Sequence, residues 1–374
     1  MTMPRLVSNP LLNKAQTGTL VRESLGFHQS LPGYAPTPVR SLPGVARQLG
    51  VRSVHVKDES VRLGMPSFKI LGASWATYRV LLRHLGLELK SSPSLHRLKE
   101  QLAEHPGLRL TAATDGNHGR AVARMAALLG LPAHIVVPAD MVQARIDAIR
   151  SEGATVEVVD GGYDDAIARS AALASADTLV ISDTSWEGYV DPPSWVIDGY
   201  STMITEVLGQ IERREMPRPT VVAAQIGVGA FAAAVVRGFS EFEGTLLLGV
   251  EPTEADCVIT SAEQHRITTI PGPQRSIMAG LNCGTPSLIA WPDVSRGFDY
   301  FSTVTDADAA DAMRALHADD VISGESGAAG LAGIMAHAAG LGLGPEDDVL
   351  VFSTEGATDL ANFNRICGIE LTSL

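Results

Sequence analysis

A lysine that could serve as a nucleophile begins an otherwise apolar segment, Pro66-Ser-Phe-Lys-Ile-Leu-Gly72. Burial disfavours the charged form of an amine and makes it nucleophilic, as carbonyl chemistry through a Schiff base requires. Lys69 sits beside Phe68 and Ile70, where an unpaired ammonium would be costly. The alternative is a lysine whose stem packs while its head reaches water, and this segment alone does not decide between the two.

A second cluster, Thr114-Asp-Gly-Asn-His-Gly119, follows an apolar run and opens a helical pattern. Backbone N–H groups and the helix dipole at such a position can hold an anion. The cluster can equally be a helix cap. His118 has a side chain that titrates near neutrality, but in a tight loop we expect it to support the backbone by hydrogen bonding.

A glycine-rich run, Gln225-Ile-Gly-Val-Gly-Ala-Phe231, also lies between a strand pattern and a helix pattern. Glycines at 227 and 229 would let a phosphate approach the backbone closely. The run also fits the dinucleotide pattern G-x-G-x-x-A, with Glu251 placed 22 residues after Gly229. That second interpretation is weak, because nothing nearby supplies a site for hydride transfer.

The elements that must position these groups alternate between strand and helix. Apolar runs rich in β-branched residues predict strands at Val54–Val56, Leu110–Thr114, His134–Val137, Thr155–Val159, Leu179–Ser182, Val221–Ile226, Leu246–Val250 and Val349–Ser353. Helical patterns lie between many of them, including Ile70–Leu87, Arg120–Leu129 and Trp195–Arg213. The order predicts an α/β fold with two parallel-sheet domains, flanking helices and a cleft between them.

The domain boundaries follow from two Ser- and Pro-rich segments, Lys90–Ser94 and Glu215–Pro219. We predict a large domain formed by residues 1–89 and 213–374, with a small inserted α/β domain at residues 90–212. A Gly- and Pro-rich segment at Ile270–Pro292 predicts an ordered loop, and loops of this length often serve a site.

Composition limits the partners. With 29 basic and 42 acidic residues among 374, the net charge of -13 disfavours nucleic acid and anionic membrane surfaces. No apolar stretch is long enough for a membrane helix, and the start lacks a signal-peptide pattern, so we expect a cytoplasmic protein acting on small molecules. The widely spaced Cys257, Cys283 and Cys367 suggest neither a disulfide framework nor a zinc site, and we expect buried thiols and no metal.

Beyond these local patterns, ten motifs in order resemble the tryptophan-synthase-β-like, or fold type II, group of pyridoxal-phosphate enzymes. They are Tyr34-Ala-Pro-Thr-Pro38, Val56-Lys-Asp-Glu-Ser60, Ser67-Phe-Lys-Ile-Leu-Gly72, Ala113-Thr-Asp-Gly-Asn-His-Gly-Arg120, Asp183-Thr-Ser-Trp-Glu-Gly-Tyr189, Gln225-Ile-Gly-Val-Gly-Ala230, Glu251-Pro-Thr-Glu-Ala-Asp-Cys257, Met278-Ala-Gly-Leu281, Ile322-Ser-Gly-Glu-Ser-Gly-Ala328 and Ser353-Thr-Glu-Gly-Ala-Thr-Asp359. Within that group the Asp-Gly-Asn-His-Gly and Trp-Glu-Gly-Tyr elements are most similar to those of the 2,3-diaminopropionate ammonia-lyases.

The resemblance implies a role for each matching residue. Lys69 would carry pyridoxal 5′-phosphate next to Phe68, and Asn117 would contact the 3′ oxygen of the cofactor. The loop of Gly227, Val228, Gly229 and Ala230 would hold its phosphate, Thr354 would face the ring nitrogen as a neutral partner, and Glu325 would cap a helix or touch the ring.

The implied reaction is the elimination of ammonia from D- and L-2,3-diaminopropionate to give pyruvate. Lys69 would take the α-proton of the L isomer and Asp115 that of the D isomer from the opposite face. Asp183 would lie near the β-amine, although either aspartate could simply cap the helix that follows it. We expect a homodimer.

Three alternatives stay open from the residues. The first is a pyridoxal-phosphate dehydratase of serine or threonine, or an enzyme that eliminates or replaces the β-substituent of another amino acid. The others are a nicotinamide-dependent dehydrogenase that uses Gly227 and Gly229, and a non-catalytic binding protein on the same scaffold.

Overall fold

A computed structural model describes residues 3–89, 94–114 and 116–371. Its strands are β1 Leu6–Ser8, β2 Val39–Ser41, β3 Ser53–Asp58, β4 Arg109–Ala113, β5 Ala133–Val137, β6 Thr155–Val158, β7 Thr178–Val180, β8 Val221–Gln225, β9 Leu246–Pro252, β10 Tyr300–Val304 and β11 Asp348–Ser353.

The helices are α1 Glu23–His28, α2 Pro43–Leu49, α3 Lys69–His84, α4 Leu95–Leu102, α5 Asn117–Leu129, α6 Gln143–Ser151, α7 Tyr163–Ala172, α8 Asp191–Glu212, α9 Ala230–Phe239, α10 Cys257–Glu263, α11 Trp291–Gly297, α12 Asp306–Ala318, α13 Glu325–His337 and α14 Leu360–Cys367. Two single 3₁₀ turns, at Lys14–Gln16 and Ala279–Leu281, complete the described elements.

The strands form two sheets. The larger has seven strands in the order β1-β10-β9-β8-β11-β3-β2, and the smaller has four in the order β6-β5-β4-β7. All pairs within the small sheet and the inner five strands of the large sheet are parallel. The edge strands β1 and β2 pair antiparallel with β10 and β3. The α/β fold with two largely parallel sheets is therefore confirmed, but the large sheet is mixed.

The helix that begins at Lys69 is fixed by close packing on α8. A Cβ at Gly72 would lie 2.6 Å from the Tyr200 ring, and one at Gly199 would lie 2.4 Å from the Leu71 carbonyl oxygen. Only glycine allows the two helix backbones to approach this closely. The position of Lys69 is thus set by the contact between α3 and α8.

A buried ion network ties the segment before Lys69 to the same helix. Arg62 pairs with Glu59 at 2.5 Å and with Glu206 at 2.7 Å, and Lys57 pairs with Glu206 at 2.9 Å. These side chains are at most 3% exposed. Each charge has an opposite charge and further hydrogen bonds, as burial of ions requires.

The structure confirms the eight predicted strands, with ends that shift by up to two residues. It adds β1, β2 and β10, of which the first two are only three residues long.

The expectation of three buried thiols is wrong, because only Cys257 is buried while Cys283 and Cys367 are partly exposed. Of the predicted linkers, Glu215–Pro219 lies between α8 and β8, and residues 90–93 of the other fall outside the described residues. The domain boundaries stay a prediction. Among the helices that the structure describes, none combines the length and apolar character needed to cross a membrane.

Candidate active site

A cavity of about 910 Å³ lies where the carboxyl ends of strands from both sheets meet. Ligands of open parallel sheets bind at such ends. Its lining includes all of the predicted site residues that the structure describes, namely Phe68, Lys69, Asn117, Asp183, Gly227, Val228, Gly229, Ala230, Glu325 and Thr354. The structure therefore brings together groups that are up to 286 positions apart in the chain, from Phe68 to Thr354. Their individual roles stay predictions.

The Lys69 amine reaches into this cavity and donates a hydrogen bond to Asp183. The distance from Nζ to Oδ2 is 2.9 Å, with the lysine side chain 20% exposed and the aspartate 8%. His118 Nδ1 lies 3.7 Å from the same oxygen, while its Nε2 donates to the Ile181 carbonyl at 2.8 Å. His118 therefore supports the loop backbone, as expected.

Burial opposes the charge on Asp183, but the neighbouring His118 and Lys69 more than offset it. The pKa of Asp183 consequently lies well below its ordinary range. The group is a carboxylate near neutral pH and cannot donate a proton there. It is suited to holding an ammonium group.

The loop that carries Asp183 is held by Tyr189 and caps no helix. Tyr189 donates from its hydroxyl to the Val180 carbonyl at 2.8 Å and accepts from the Ser182 N–H at 3.0 Å. Helix α8 begins at Asp191 with Val190 as its first flanking residue, so the capping interpretation of Asp183 is wrong. Trp186 stacks on Tyr189 at 4.1 Å, and the two line a separate smaller pocket instead of the cavity.

Asn117, the first residue of α5, contacts Glu355, which lies just after β11 of the large sheet. Its Nδ2 donates to Glu355 Oε2 at 2.6 Å, and the second oxygen of Glu355 accepts from the Ser326 N–H at 3.2 Å. Burial raises the pKa of Glu355, and the charge of Arg145 only partly opposes this. Asp115, two residues before Asn117, lies outside the described residues.

The glycine loop ends in the first turn of α9 and forms a cradle. Gly229 has φ +106°, a backbone conformation that residues with a side chain rarely adopt. A Cβ at Gly227 would lie 3.0 Å from the Gly280 carbonyl oxygen. The first helical hydrogen bond runs from Ala233 N to Gly229 O at 2.8 Å. Earlier N–H groups of a helix have no partner within it, so they are available to an anion.

Thr354 and Glu325 complete the opposite wall. Thr354 follows β11 directly, and its Oγ1 accepts from Gln225 Nε2 at 2.8 Å. Glu325 is the first residue of α13 and accepts a hydrogen bond from Asn362. Burial and the neighbouring Glu355 raise the pKa of Glu325.

Glu251 decides against the dinucleotide interpretation. It is fully buried, and its two oxygens accept the backbone N–H groups of Val258 and Ile259, each at 2.8 Å. Its carboxyl group thus caps the start of α10 and cannot reach a ribose hydroxyl. A nicotinamide-dependent dehydrogenase would need this acidic residue to bind the ribose, so that alternative is disfavoured.

A family model described as pyridoxal-phosphate dependent enzyme matches residues 31–355 of the chain. The chain belongs to this family. Pyridoxal-phosphate dependent enzymes similar to it include a diaminopropionate ammonia-lyase of Escherichia coli K12, which is 37% identical over 96% of this chain and 93% of that protein. A crystal structure of the Escherichia coli diaminopropionate ammonia lyase in complex with D-serine has a TM-score of 0.90, with 33% identity, 98% of this chain covered and 97% of that one. A rat L-serine dehydratase/L-threonine deaminase is 29% identical over 42% of each chain.

The family cofactor is pyridoxal 5′-phosphate, and the residues present fit it. The site offers an amine at Lys69, a glycine loop with helix N–H groups for a phosphate, and a hydroxyl at Thr354. Phe68, whose ring centroid lies 4.6 Å from that of Tyr200, forms an apolar wall beside the amine.

The sequence-based prediction assigned no role to several residues that line the cavity, and Glu355 and Arg145 are two charged examples. Glu355 lies in a quoted motif but had no role there, since nothing local shows that it meets Asn117 from the other sheet. Arg145, on α6, also lines the cavity. Its position after the carboxyl end of β5 is the signal that could have found it.

Proposed function

We propose that the chain eliminates ammonia from 2,3-diaminopropionate, of either hand, to give pyruvate. The observation that carries the proposal is the Asp183 carboxylate, 2.9 Å from the Lys69 amine. If Lys69 holds the cofactor, its amine would no longer donate to Asp183, which would then be free to bind another cation. A substrate with a second ammonium would pair with it, whereas the hydroxyl of serine would not.

Bound pyridoxal 5′-phosphate supplies an electron sink that makes the α-proton of an amino acid removable. Lys69 would hold this cofactor and would also be the base that accepts the α-proton of the L isomer. The N–H groups before Ala233 would hold the phosphate, and Asn117, which donates to Glu355, would face the 3′ oxygen. Asp183 orients the β-ammonium, which leaves already protonated.

For the D isomer we propose Asp115 as the second base, because one amine cannot reach α-protons that the two isomers present on opposite sides of the site. Asp115→Asn keeps nearly the same volume and removes the acceptor. Activity on D-diaminopropionate should fall by roughly 10² or more, the range of general-base catalysis, while the L isomer is still served by Lys69. Comparable losses of kcat/KM on both isomers would instead mean that Asp115 positions the loop.

The test of the cofactor site is Lys69→Ala with Lys14→Ala as the matched control. Lys14 pairs with Asp299 at 2.7 Å, away from the cavity. Borohydride reduction followed by peptide mass spectrometry should find the cofactor on Lys69 in the wild type and the control, and on no lysine in Lys69→Ala. An adduct on another lysine of that variant would refute the assignment.

The substrate test compares pyruvate and ammonia release from D- and L-diaminopropionate, serine and threonine. Both diaminopropionate isomers should turn over much faster than the hydroxy amino acids, and Asp183→Asn should narrow that difference. Equal or faster turnover of L-serine or L-threonine would make the chain a dehydratase. No turnover of any of them would contradict both assignments.

We also propose a homodimer located in the cytoplasm. Light scattering of the purified chain measures the oligomeric state, and cell fractionation measures the location.

A further inference from the structure

Gln225, at the end of β8, is 3% exposed, and its side-chain nitrogen lies within hydrogen-bonding distance of three acceptors. Its Nε2 lies 2.8 Å from Thr354 Oγ1, 3.1 Å from the Phe352 carbonyl oxygen and 3.3 Å from the Gly327 carbonyl oxygen. These contacts join β8, β11 and α13 at the wall of the cavity.

The two backbone carbonyls fix which way the amide of Gln225 points. Turning the amide over would place Oε1 against the Phe352 and Gly327 oxygens, which have no proton to offer. The NH₂ group must therefore face Thr354. The hydroxyl of Thr354 is the acceptor in that contact.

The direction of the Thr354 proton follows. With its oxygen occupied by the proton from Gln225, the hydroxyl has its own hydrogen left to donate elsewhere. Over the described ranges 3–89, 94–114 and 116–371, no hydrogen bond has this hydroxyl as donor. Thr354 lines the cavity, so a bound molecule is the acceptor that the site offers.

We propose that Gln225 is a positioning residue that fixes the Thr354 hydroxyl as a hydrogen-bond donor toward the ring nitrogen of pyridoxal 5′-phosphate, and thereby keeps that nitrogen unprotonated. The inference rests on the proposed function, since it requires the cofactor to be carried on Lys69. A ring nitrogen that only accepts a hydrogen bond withdraws electrons less strongly than a protonated one. The orientation of the Gln225 amide therefore sets how strongly the cofactor ring withdraws electrons.

The test uses cofactor labelled with ¹⁵N at the ring nitrogen. Gln225→Met removes the donor at similar length, Thr354→Val removes the hydroxyl at similar volume, and Thr354→Ser keeps the hydroxyl. The ¹⁵N chemical shift should report an unprotonated nitrogen in the wild type and Thr354→Ser from pH 6 to 9. It should move in Gln225→Met and Thr354→Val, in the same direction.

A double-mutant cycle separates positioning from general support of the fold. If Gln225 acts through Thr354, Gln225→Met should lower kcat by about as much as Thr354→Val, roughly tenfold, and the double variant should be no slower than Thr354→Val. The double variant should also match Thr354→Val in its ¹⁵N shift. Additive losses, or a lower Tm for Gln225→Met with a wild-type ¹⁵N shift, would overturn the inference.

Two further outcomes concern the wild type and do not depend on whether Gln225→Met folds. A protonated ring nitrogen in the wild type overturns the role of Gln225 and leaves the proposed reaction standing. A wild-type chain that takes up no cofactor on Lys69 overturns the proposed function, and the inference with it.

Discussion

Gly227→Ala tests whether the loop before α9 is a cradle for the phosphate of the cofactor. The added methyl would lie 3.0 Å from the Gly280 carbonyl oxygen and 3.2 Å from Cys283 Sγ. The first neighbour belongs to the 3₁₀ turn Ala279–Leu281, whose Gly280 N–H donates to Ser326 Oγ at 3.1 Å. Because that backbone is held from its other side, the glycine loop is the part that must shift.

The magnitude follows from the overlap. An extra methyl in a tightly packed site costs about 1–3 kcal/mol. If the strain is relieved by moving the loop, the loss falls on cofactor binding and corresponds to a roughly 5- to 150-fold weaker Kd. Titration of cofactor-free protein with pyridoxal 5′-phosphate, followed by absorbance, measures it.

Gly344→Ala is the matched control for this change. A Cβ at Gly344 meets no atom within 4 Å, and its N–H can keep its hydrogen bond to Asp347 Oδ2 at 2.9 Å. Its Kd should stay within twofold of the wild type. Wild-type affinity in Gly227→Ala, or an equal loss in Gly344→Ala, would refute the assignment of the cradle.

Three further predictions concern stability, each measured by urea unfolding of the cofactor-free chain. The pKa of Asp183 in the folded chain lies well below the ~3.9 of a free aspartate, so its contribution to stability is fully present above about pH 4 and declines as the pH falls further towards the pKa of the folded chain. Asp183→Asn should be about 1–2 kcal/mol less stable than the wild type at pH 7, and this difference should shrink only below about pH 4. A constant difference would contradict this. Tyr189→Phe leaves the Val180 carbonyl and the Ser182 N–H without their common partner, so it should lower the free energy of unfolding by about 1–3 kcal/mol. An unchanged free energy of unfolding would mean that water replaces the hydroxyl. Arg62→Met leaves the buried Glu59 carboxylate without a cation and leaves Glu206 with Lys57 alone, and it should cost about 3–5 kcal/mol. Arg83→Met should cost less than ~1 kcal/mol, because the pair of Arg83 with Asp191 is more than half exposed. Equal costs would mean that the buried network does not stabilise the fold.

The inner strands could be predicted well from the sequence because burial on both faces determines both their composition and their place in the sheet. Strands such as β8 and β11 are buried on both faces, and their residues are accordingly a continuous apolar run. The short edge strands β1 and β2 have partly exposed residues and lack such a run. Their antiparallel pairing depends on which neighbour they reach, and no local pattern encodes that.

At the site, features formed by residues close together in the sequence could be predicted, whereas contacts between residues far apart in the sequence could not. A lysine at the start of an apolar helix and a glycine loop before another helix are visible in the sequence because each needs only its own neighbours. The contact of Asn117 with Glu355 joins residues 238 positions apart. Likewise, the low pKa of Asp183 arises from charges that only the fold brings near it.

The place of β11 in the large sheet has a consequence for how the chain reaches its native state. Among the eleven strands that the structure describes, this one comes last along the chain, yet it lies between β3 and β8, with Val349 paired to both Val54 and Val221. Until it arrives, β3 and β8 each present an unpaired apolar edge, and closing the gap joins positions 295 residues apart. Non-local pairing of this kind is slow, and open edges of this kind invite association with other chains. Nascent and refolding chains should therefore depend on chaperones, and denaturation above micromolar concentration should end in aggregation more often than in recovery.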